Sequence, residues 1–103
     1  MSHSGADDEE YRGASHSWFI PKNVSNFRKH GIRFEQVVDV FNDPLAILEV
    51  EEEWIHGEER WRMIGAGEAG IIFVVYVDYE NLHRIVSARE ATDAEKQRYR
   101  DQA

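Results

Sequence analysis

Seven consecutive apolar residues, Ile71 to Val77, constrain the fold of this chain more than any other stretch. Most of them are β-branched or aromatic, and the run lies between Gly70 and Asp78, which predicts a strand covered on both faces. A chain of 103 residues is long enough for one modest hydrophobic core. We therefore expect this run to form the centre of the sheet in a single domain.

A second strand is predicted after the polar turn at residues 78–81, over Leu82 to Arg89. Arg84 and Arg89 flank its short apolar part, and guanidinium groups bind carboxylate or phosphate through a planar, permanently charged fork. The pair therefore indicates either an anion site or ordinary surface arginines that pair with nearby acids. Strict alternation would place the two arginines on opposite faces of the strand.

Two further strands are predicted before the central run. Ala46 to Glu51 alternates between apolar and polar residues, and Glu59 to Gly65 places Trp61 and Met63 on one face and arginines on the other. Gly67 and its neighbours supply a turn into the central strand. We expect an antiparallel meander of three or four strands.

Helices are predicted on both sides of this meander. The first begins at Pro21 and ends at Gly31, and the C-terminal one begins with a capping box formed by Thr92 and Glu95 and runs through Tyr99. A second N-terminal helix is indicated by an apolar stripe before Pro44, formed by Phe34, Val37, Val38 and Phe41. The predicted fold class is α+β: two N-terminal helices, the antiparallel three- to four-stranded sheet and a C-terminal helix.

The spacing of the first helix separates its side chains into two groups. Lys22, Asn26 and Lys29 share one polar, partly basic face, and Val24 and Phe27 are expected to turn toward the core. Residues 1–17 have no hydrophobic periodicity and include four consecutive acids, so we expect a flexible acidic tail. Residues 18–103 are then the single folded domain.

Composition excludes several classes of function. The formal net charge of −8 argues against broad affinity for nucleic acid, although a local basic patch remains possible. The absence of cysteine excludes disulfides and thiolate metal sites, and the five histidines have no metal-site spacing. No stretch resembles a signal peptide or a membrane span. We expect a cytoplasmic protein without membrane association and without a metal or cofactor.

The candidate chemistry lies in cations and hydroxyls at the ends of the predicted elements. Such groups suit phosphodiester cleavage, in which a base removes a proton from the attacking hydroxyl and cations stabilise charge on phosphorus. For the basic residues at the end of the first helix, favourable interaction with the helix dipole is an equally good explanation. The candidates are Lys29, His30, Arg60, Arg84, Ser87, Arg89 and Tyr99.

These positions also carry a family resemblance. The sequence resembles BrnT-type toxins of bacterial type II toxin-antitoxin systems, which have a RelE-like fold, from Trp18 to about Tyr99. The matching residues are Trp18, Lys22, Asn26, Lys29-His30-Gly31, Phe34, Val40-Phe41-Asn42-Asp43-Pro44, Glu59-Arg60, Arg84-Ile85-Val86-Ser87-Ala88-Arg89, Ala91, Glu95 and Tyr99.

The resemblance implies a metal-independent endoribonuclease that cleaves RNA through attack of a 2′-hydroxyl, leaves a 2′,3′-cyclic phosphate and inhibits translation. It also implies a cognate antitoxin, of the ribbon-helix-helix type, through which promoter DNA is contacted only indirectly. Arg84 and Arg89 would stabilise phosphate charge, and Lys29 or His30 would transfer protons. Arg60 and Tyr99 complete the catalytic set, with Lys22, Asn26 and Ser87 as RNA-binding residues.

Two alternative functions remain open at this stage. The chain could be a toxin-like binding module that has lost catalysis, because a fold can outlive its activity. It could also be an unrelated small α+β interaction domain whose arginines pair with surface acids.

Overall fold

The computed structural model describes residues 9–51 and 59–102. It contains six strands, two α-helices and one 3₁₀ helix. In chain order the elements are β1 (Glu10–Arg12), β2 (His16–Phe19), α1 (Ile20–His30), the 3₁₀ helix (Phe34–Asn42), β3 (Ile47–Val50), β4 (Trp61–Gly67), β5 (Gly70–Tyr79), β6 (Leu82–Glu90) and α2 (Asp93–Asp101).

All six strands belong to one sheet with the order β1-β2-β6-β5-β4-β3. The strands β3 to β6 form the expected antiparallel meander, with β5 next to its centre. The prediction of three or four antiparallel strands is nevertheless wrong, because the sheet has six strands and β2 pairs with β6 in parallel. The predicted opening on two helices is also wrong, since β1 and β2 precede α1.

The missed strands lie in the segment predicted to be a flexible tail. Glu10–Arg12 pairs with Ser17–Phe19 in antiparallel register, so the predicted domain boundary at Ser17 falls inside β2. The ring of Tyr11 stacks on that of Trp18 at 4.4 Å, and Trp18 is buried. Such strands carry little apolar sequence of their own, because their order comes from pairing with neighbours. The first eight residues of the predicted tail lie outside the described residues.

A β-bulge in β6 decides which side chains share a face of the sheet. Val75 pairs with Ser87, but the next residue, Tyr76, pairs with Ile85, so Val86 is an extra residue in β6. The register places Arg84 opposite Val77 and Arg89 opposite Phe73. Because Val77 and Phe73 are four residues apart in regular β5, both arginines lie on one face. The expectation that they lie on opposite faces is wrong, since a bulge shifts the alternation by one residue.

We call this side of the sheet the arginine face, and Arg62 of β4 lies on it opposite Val75. The other side is the core face, which packs against the 3₁₀ helix. Phe34, Val37 and Val40 are fully buried there. Their spacing of three residues is the period of a 3₁₀ helix, which explains why Val40 replaces part of the predicted α-helical stripe.

Helix α1 buries its polar side rather than its apolar side. Val24 and Phe27 are each 40% exposed, so the expectation that they turn toward the core is wrong. The buried residues are Asn23 and Asn26. The Asn23 amide donates to Glu35 and accepts from the backbone N–H of Phe34, both at 2.7 Å. These paired hydrogen bonds offset the cost of burying an amide, which hydrophobic spacing cannot reveal.

Other local signals are confirmed. Gly31 ends α1 with a positive φ of 72°. Thr92 and Glu95 form the predicted capping box at the start of α2. The β5–β6 hairpin turns through Glu80 and Asn81, both in the left-handed region. Within residues 9–51 and 59–102, no helix has the length and apolar character needed to cross a membrane.

Candidate functional site: a basic groove between helix α1 and strand β6

The candidate site lies where α1 takes the place of a strand beside β6. Strand β2 pairs with β6 only at His83 and Arg84. Farther along β6, the Asn26 side chain donates to the carbonyl of Ala88 at 2.8 Å and accepts from its N–H at 3.1 Å. The amide of Asn26 therefore satisfies the edge of β6 as a neighbouring strand would. This arrangement leaves a groove between the helix and the strand.

Two adjoining hollows make up this basic groove, and both are lined by Lys22 and Val86. The arginine hollow has a volume of about 290 Å³ and is lined by Phe19, Lys22, Arg60, Val77, Arg84, Ile85 and Val86. The helix hollow has a volume of about 360 Å³ and is lined by Lys22, Ser25, Asn26, Lys29, His30, Val86 and Ser87.

Seven of the predicted site residues therefore meet in one groove: Lys22, Asn26, Lys29, His30, Arg60, Arg84 and Ser87. Four of them are lysine or arginine, and among the described residues the acid in contact with these cations is Glu10, which contacts Arg84. A concave surface with one sign of charge attracts anions despite an overall charge of the same sign. The groove can therefore hold a polyanion on a chain whose formal charge is −8.

Arg84 is the most enclosed cation of the groove. Its guanidinium carbon lies 4.1 Å from the ring centroid of Tyr79 and 4.6 Å from that of Phe19. Its Nη2 atom donates to Glu10 at 3.2 Å, and its side chain is only 14% exposed. Two aromatic rings thus fix the plane of the guanidinium. A fixed plane favours bidentate binding of phosphate or carboxylate.

Several buried donors at this end of the groove have no partner among the described residues. They are Nε of Arg84, Nε of Arg60 and the hydroxyl of Ser17, which is the neighbour of Arg84 across the β2–β6 pair. Nε of Arg62, which lies outside both hollows, is likewise buried without a partner in the described chain. A buried guanidinium N–H without an acceptor is costly. An anion that enters the arginine hollow would supply acceptors for this set.

Arg89 is on the same face as Arg84 but lines neither hollow. Its two Nη atoms donate to the carboxylate oxygens of Glu95 at 2.8 and 3.0 Å, and its guanidinium carbon lies 4.1 Å from the ring centroid of Phe73. The hydrogen bond from Arg89 lowers the pKa of Glu95 to about 2 against the opposing effect of burial. The same hydrogen bond raises the pKa of Arg89. This ion pair fastens α2 to β6.

Tyr99 also lies outside the groove. Its hydroxyl donates to Asp43 at 2.6 Å, and the same carboxylate oxygen accepts from the N–H of Ala66 at 2.8 Å. The hydrogen bond to Asp43 raises the pKa of Tyr99. Burial acts to raise the pKa of Asp43, but the hydrogen bonds from Tyr99, Ala66 and Leu45 outweigh it and lower that pKa. Tyr99 thus links α2 to the loop before β3.

A second cluster of titratable groups lies on the core face. The buried ring of His16 lies 4.5 Å from that of Phe41 and 5.5 Å from that of His83. Burial, and then repulsion from His83, lower the pKa of His16. His83 contacts the Asp78 carboxylate at 2.6 Å. Throughout the described parts of the chain, no three acidic or histidine side chains are placed to hold a metal ion.

Besides the apolar residues Val77, Ile85 and Val86, three groove residues were not among the predicted site residues. Ser25 and Phe19 line the hollows, and Glu10 contacts Arg84. The helical spacing of Ser25 from Lys22 and Lys29 is a signal that could have identified it. The positions of Phe19 and Glu10 depend on the pairing of β1 and β2, which no hydrophobic periodicity in the sequence indicates.

A family model matches most of the chain. Residues 18–95 match the family model described as "Ribonuclease toxin, BrnT, of type II toxin-antitoxin system". The chain belongs to the BrnT toxin family. No curated protein matches the chain in a sequence search. The BrnT match covers α1, the central strands and the start of α2, and therefore every residue that lines the groove, whereas β1 lies before it.

Membership of the BrnT family identifies a ribonuclease toxin that is paired with an antitoxin. The resemblance inferred from the sequence is thereby confirmed. The basic groove of this BrnT toxin is lined by four lysines and arginines.

Proposed function

We propose that the chain is a metal-independent endoribonuclease that holds the scissile phosphodiester of RNA in the basic groove. The observation that supports this most is the arginine hollow, where Arg60 and Arg84 each have a buried Nε without a partner in the described chain. Phosphate oxygens are acceptors that match these donors, and charge-assisted hydrogen bonds of this kind are strong.

The reaction we propose is transfer within the RNA backbone. The 2′-hydroxyl loses its proton to a base, its oxygen bonds to the adjacent phosphorus, and the bond from phosphorus to the 5′-oxygen breaks. The leaving oxygen takes up a proton, which yields a 2′,3′-cyclic phosphate and a 5′-hydroxyl. Arg84 and Arg60 would stabilise the charge that develops on the phosphoryl oxygens.

Lys29 and His30 are the proposed groups for proton transfer, since both line the helix hollow beside Ser87. Imidazole is suited to this work because it accepts and donates protons near neutral pH. Lys22 and Ser87 would bind the flanking phosphates. Asn26, Arg89 and Tyr99 stay predictions as site residues, and the hydrogen bonds they make point to positioning roles.

The biological consequence we propose is inhibition of translation in the bacterial cytoplasm, with neutralisation by a ribbon-helix-helix antitoxin that also contacts the promoter. An antitoxin that covers the groove would exclude RNA. Acidic side chains on the antitoxin would complement the cations of the groove.

An arginine substitution tests the proposed site. Arg84→Ala should lower the rate of RNA cleavage at least about 100-fold, because it removes a donor to the developing phosphoryl charge. Arg62→Ala is the matched control, since Arg62 lies on the same face but lines neither hollow. Purified proteins would be compared with a labelled oligoribonucleotide in the presence of a chelator, and thermal melts would verify folding.

The same variants would be induced in a bacterial host while incorporation of labelled amino acid is followed. Growth arrest by wild type and Arg62→Ala, but not by Arg84→Ala, is expected. Equal cleavage by the two variants would place the chemistry outside the arginine hollow. Loss of cleavage on addition of the chelator would contradict metal independence. Folded, soluble protein that neither cleaves RNA nor arrests growth would instead indicate a binding module without catalysis.

A further inference from the structure

The carboxylate of Glu10 already occupies part of the proposed phosphate site. Its Oε2 atom lies 3.2 Å from Nη2 of Arg84, and its Oε1 atom lies 3.5 Å from Nη1 of Arg12. The side chains of Glu10 and Arg84 are only 12% and 14% exposed. This ion pair is therefore shielded from water, unlike most surface pairs.

A carboxylate and a phosphate compete for the same guanidinium donors. Both anions bind the outer N–H groups of arginine in the plane of the fork. Because the guanidinium contacts the rings of Phe19 and Tyr79, Arg84 cannot turn toward a second anion without losing these ring contacts. A phosphate that accepts the same N–H of Nη2 must therefore displace Glu10.

The element that carries Glu10 is suited to displacement. Strand β1 has three residues and lies at the edge of the sheet, where it pairs only with β2. Short edge segments open at low free-energy cost compared with the centre of a fold. The sequence before Glu10 adds three further acids, Asp7, Asp8 and Glu9. Strand β1 also precedes the part of the chain that matches the BrnT family.

We propose that β1 is an internal inhibitor of the basic groove, in which Glu10 takes the place of an RNA phosphate on Arg84. This inference rests on the proposed function and adds its regulation. The groove exists in a closed form with Glu10 on Arg84 and an open form with Arg84 available. RNA binds the open form, so its apparent affinity is the intrinsic affinity reduced by the open fraction.

Two glutamine substitutions separate this mechanism from a general effect of charge. Glu10→Gln removes the carboxylate that contacts Arg84. Glu9→Gln is the matched control, because it changes the net charge by the same amount at an exposed neighbour whose backbone carbonyl, not its side chain, holds β1 to Ile20. Both variants keep the backbone pairing of the strand, and thermal melts would verify folding.

The first measurement is binding of a single-stranded 2′-O-methyl oligoribonucleotide, which has no free 2′-hydroxyl and cannot be cleaved. Fluorescence anisotropy should show a Kd for Glu10→Gln about tenfold lower than wild type, the change expected if about one groove in ten is open. Glu9→Gln should change the Kd less than about twofold, since an exposed charge is screened by salt. The second measurement is cleavage of the unmodified oligoribonucleotide, which should be faster for Glu10→Gln at subsaturating RNA.

Each other outcome decides against the internal inhibitor. Equal Kd changes in the two variants would show only the effect of net charge. Weaker binding, or slower cleavage with unchanged binding, by Glu10→Gln would make Glu10 part of the catalytic machinery instead. RNA binding by wild type that Glu10→Gln does not improve would overturn the inhibitor and leave the proposed function intact. Failure of every variant to bind RNA would overturn both.

Discussion

Individual arginines on one face of this sheet have different environments and therefore different roles. Arg84 contacts two aromatic rings at the groove, and its Nε has no partner in the described chain. Arg89 instead donates hydrogen bonds from both Nη atoms to Glu95. A guanidinium that is already bidentate on a carboxylate has little capacity left for a phosphate. We infer that Arg89 positions α2 and that Arg84 contacts RNA.

The Arg89–Glu95 pair predicts a specific dependence of stability on pH. The pKa of Glu95 is about 2 in the folded protein, below its ordinary value. The pair therefore stabilises the fold fully above the ordinary carboxyl pKa, and this contribution is lost as the pH falls toward 2. Glu95→Gln should lower the free energy of unfolding at pH 7 by on the order of 2 kcal/mol, a figure reduced for partial exposure.

Chemical denaturation of wild type and Glu95→Gln between pH 7 and pH 2.5 would test this prediction. The difference between the two proteins should shrink steadily below about pH 4.5. Glu90→Gln is the control, because Glu90 makes a single exposed ion pair with Lys96 and should show a much smaller difference. A difference that stays constant with pH would show that charge is not the source of the effect.

Among the elements, helix α1 satisfies backbone groups along part of β6 with a side chain, where a neighbouring strand would otherwise pair. Asn26 alone makes hydrogen bonds to both backbone groups of Ala88 and to the carbonyl of Ile32. Buried backbone groups require such partners. Together with Asn23, which makes hydrogen bonds to Glu35 and the N–H of Phe34, this amide holds α1 in position and thereby sets the width of the groove.

Asn26→Ala should therefore destabilise the protein by about 2–4 kcal/mol, because it leaves buried backbone groups without partners. Ser25→Ala is the control on the same helix, since the Ser25 hydroxyl makes only an exposed hydrogen bond to the carbonyl of Lys22. Thermal melts would measure both. A loss below about 0.5 kcal/mol for Asn26→Ala would show that water replaces the amide at the edge of β6.

Elements that depend on local contacts could be predicted from the sequence, whereas elements that depend on distant partners could not. Strands β3 to β6 and the caps at Gly31 and Thr92 were predictable, because they depend on local alternation and on hydrogen bonds within a few residues. Strands β1 and β2 depend on pairing with a distant partner. The burial of Asn23 depends on Phe34 and Glu35, and no period of apolar residues encodes such a contact.

The candidate site was partly predictable for the same reason. Lys22 and Lys29 share a helical face, and Arg84 stands out beside an apolar strand, so residue type and spacing indicated them. The sequence did not show that Arg89 and Tyr99 lie outside the groove, because their positions depend on contacts with Glu95 and Asp43.

For the whole molecule, the distribution of charge matters more than its sum. Of 12 lysines and arginines in the chain, four line the groove: Lys22, Lys29, Arg60 and Arg84. The acids outnumber the bases in the sequence, yet among the described residues only Glu10 forms an ion pair with one of these four cations. At physiological ionic strength, interactions between exposed charges are largely screened beyond about 8 Å. An anion in the groove would therefore interact mainly with the nearby cations.

This distribution predicts a moderate salt dependence of RNA binding. If three or four phosphates are neutralised, the logarithm of the association constant should fall against that of salt concentration with a slope of about −2 to −3. Anisotropy titrations between 50 and 300 mM salt, run with Lys29→Ala beside wild type, would measure it. The variant should have a slope smaller in magnitude by about 0.7. A slope near zero for wild type would contradict binding through the groove.

The bulge at Val86 controls the alternation of side chains in β6. Every residue of β6 after this position owes its side of the sheet to the bulge, which leaves Val86 out of the alternation whatever its side chain. Substitution at Val86 is therefore a small change to one lining residue. Regular pairing of β6 with Val86 retained would instead exchange the two sides of the sheet for the remainder of the strand, so that Ser87 and Arg89 would turn to the core face and the buried Ala88 to the arginine face. Deletion of Val86 would make the alternation regular and leave all three residues on their present sides.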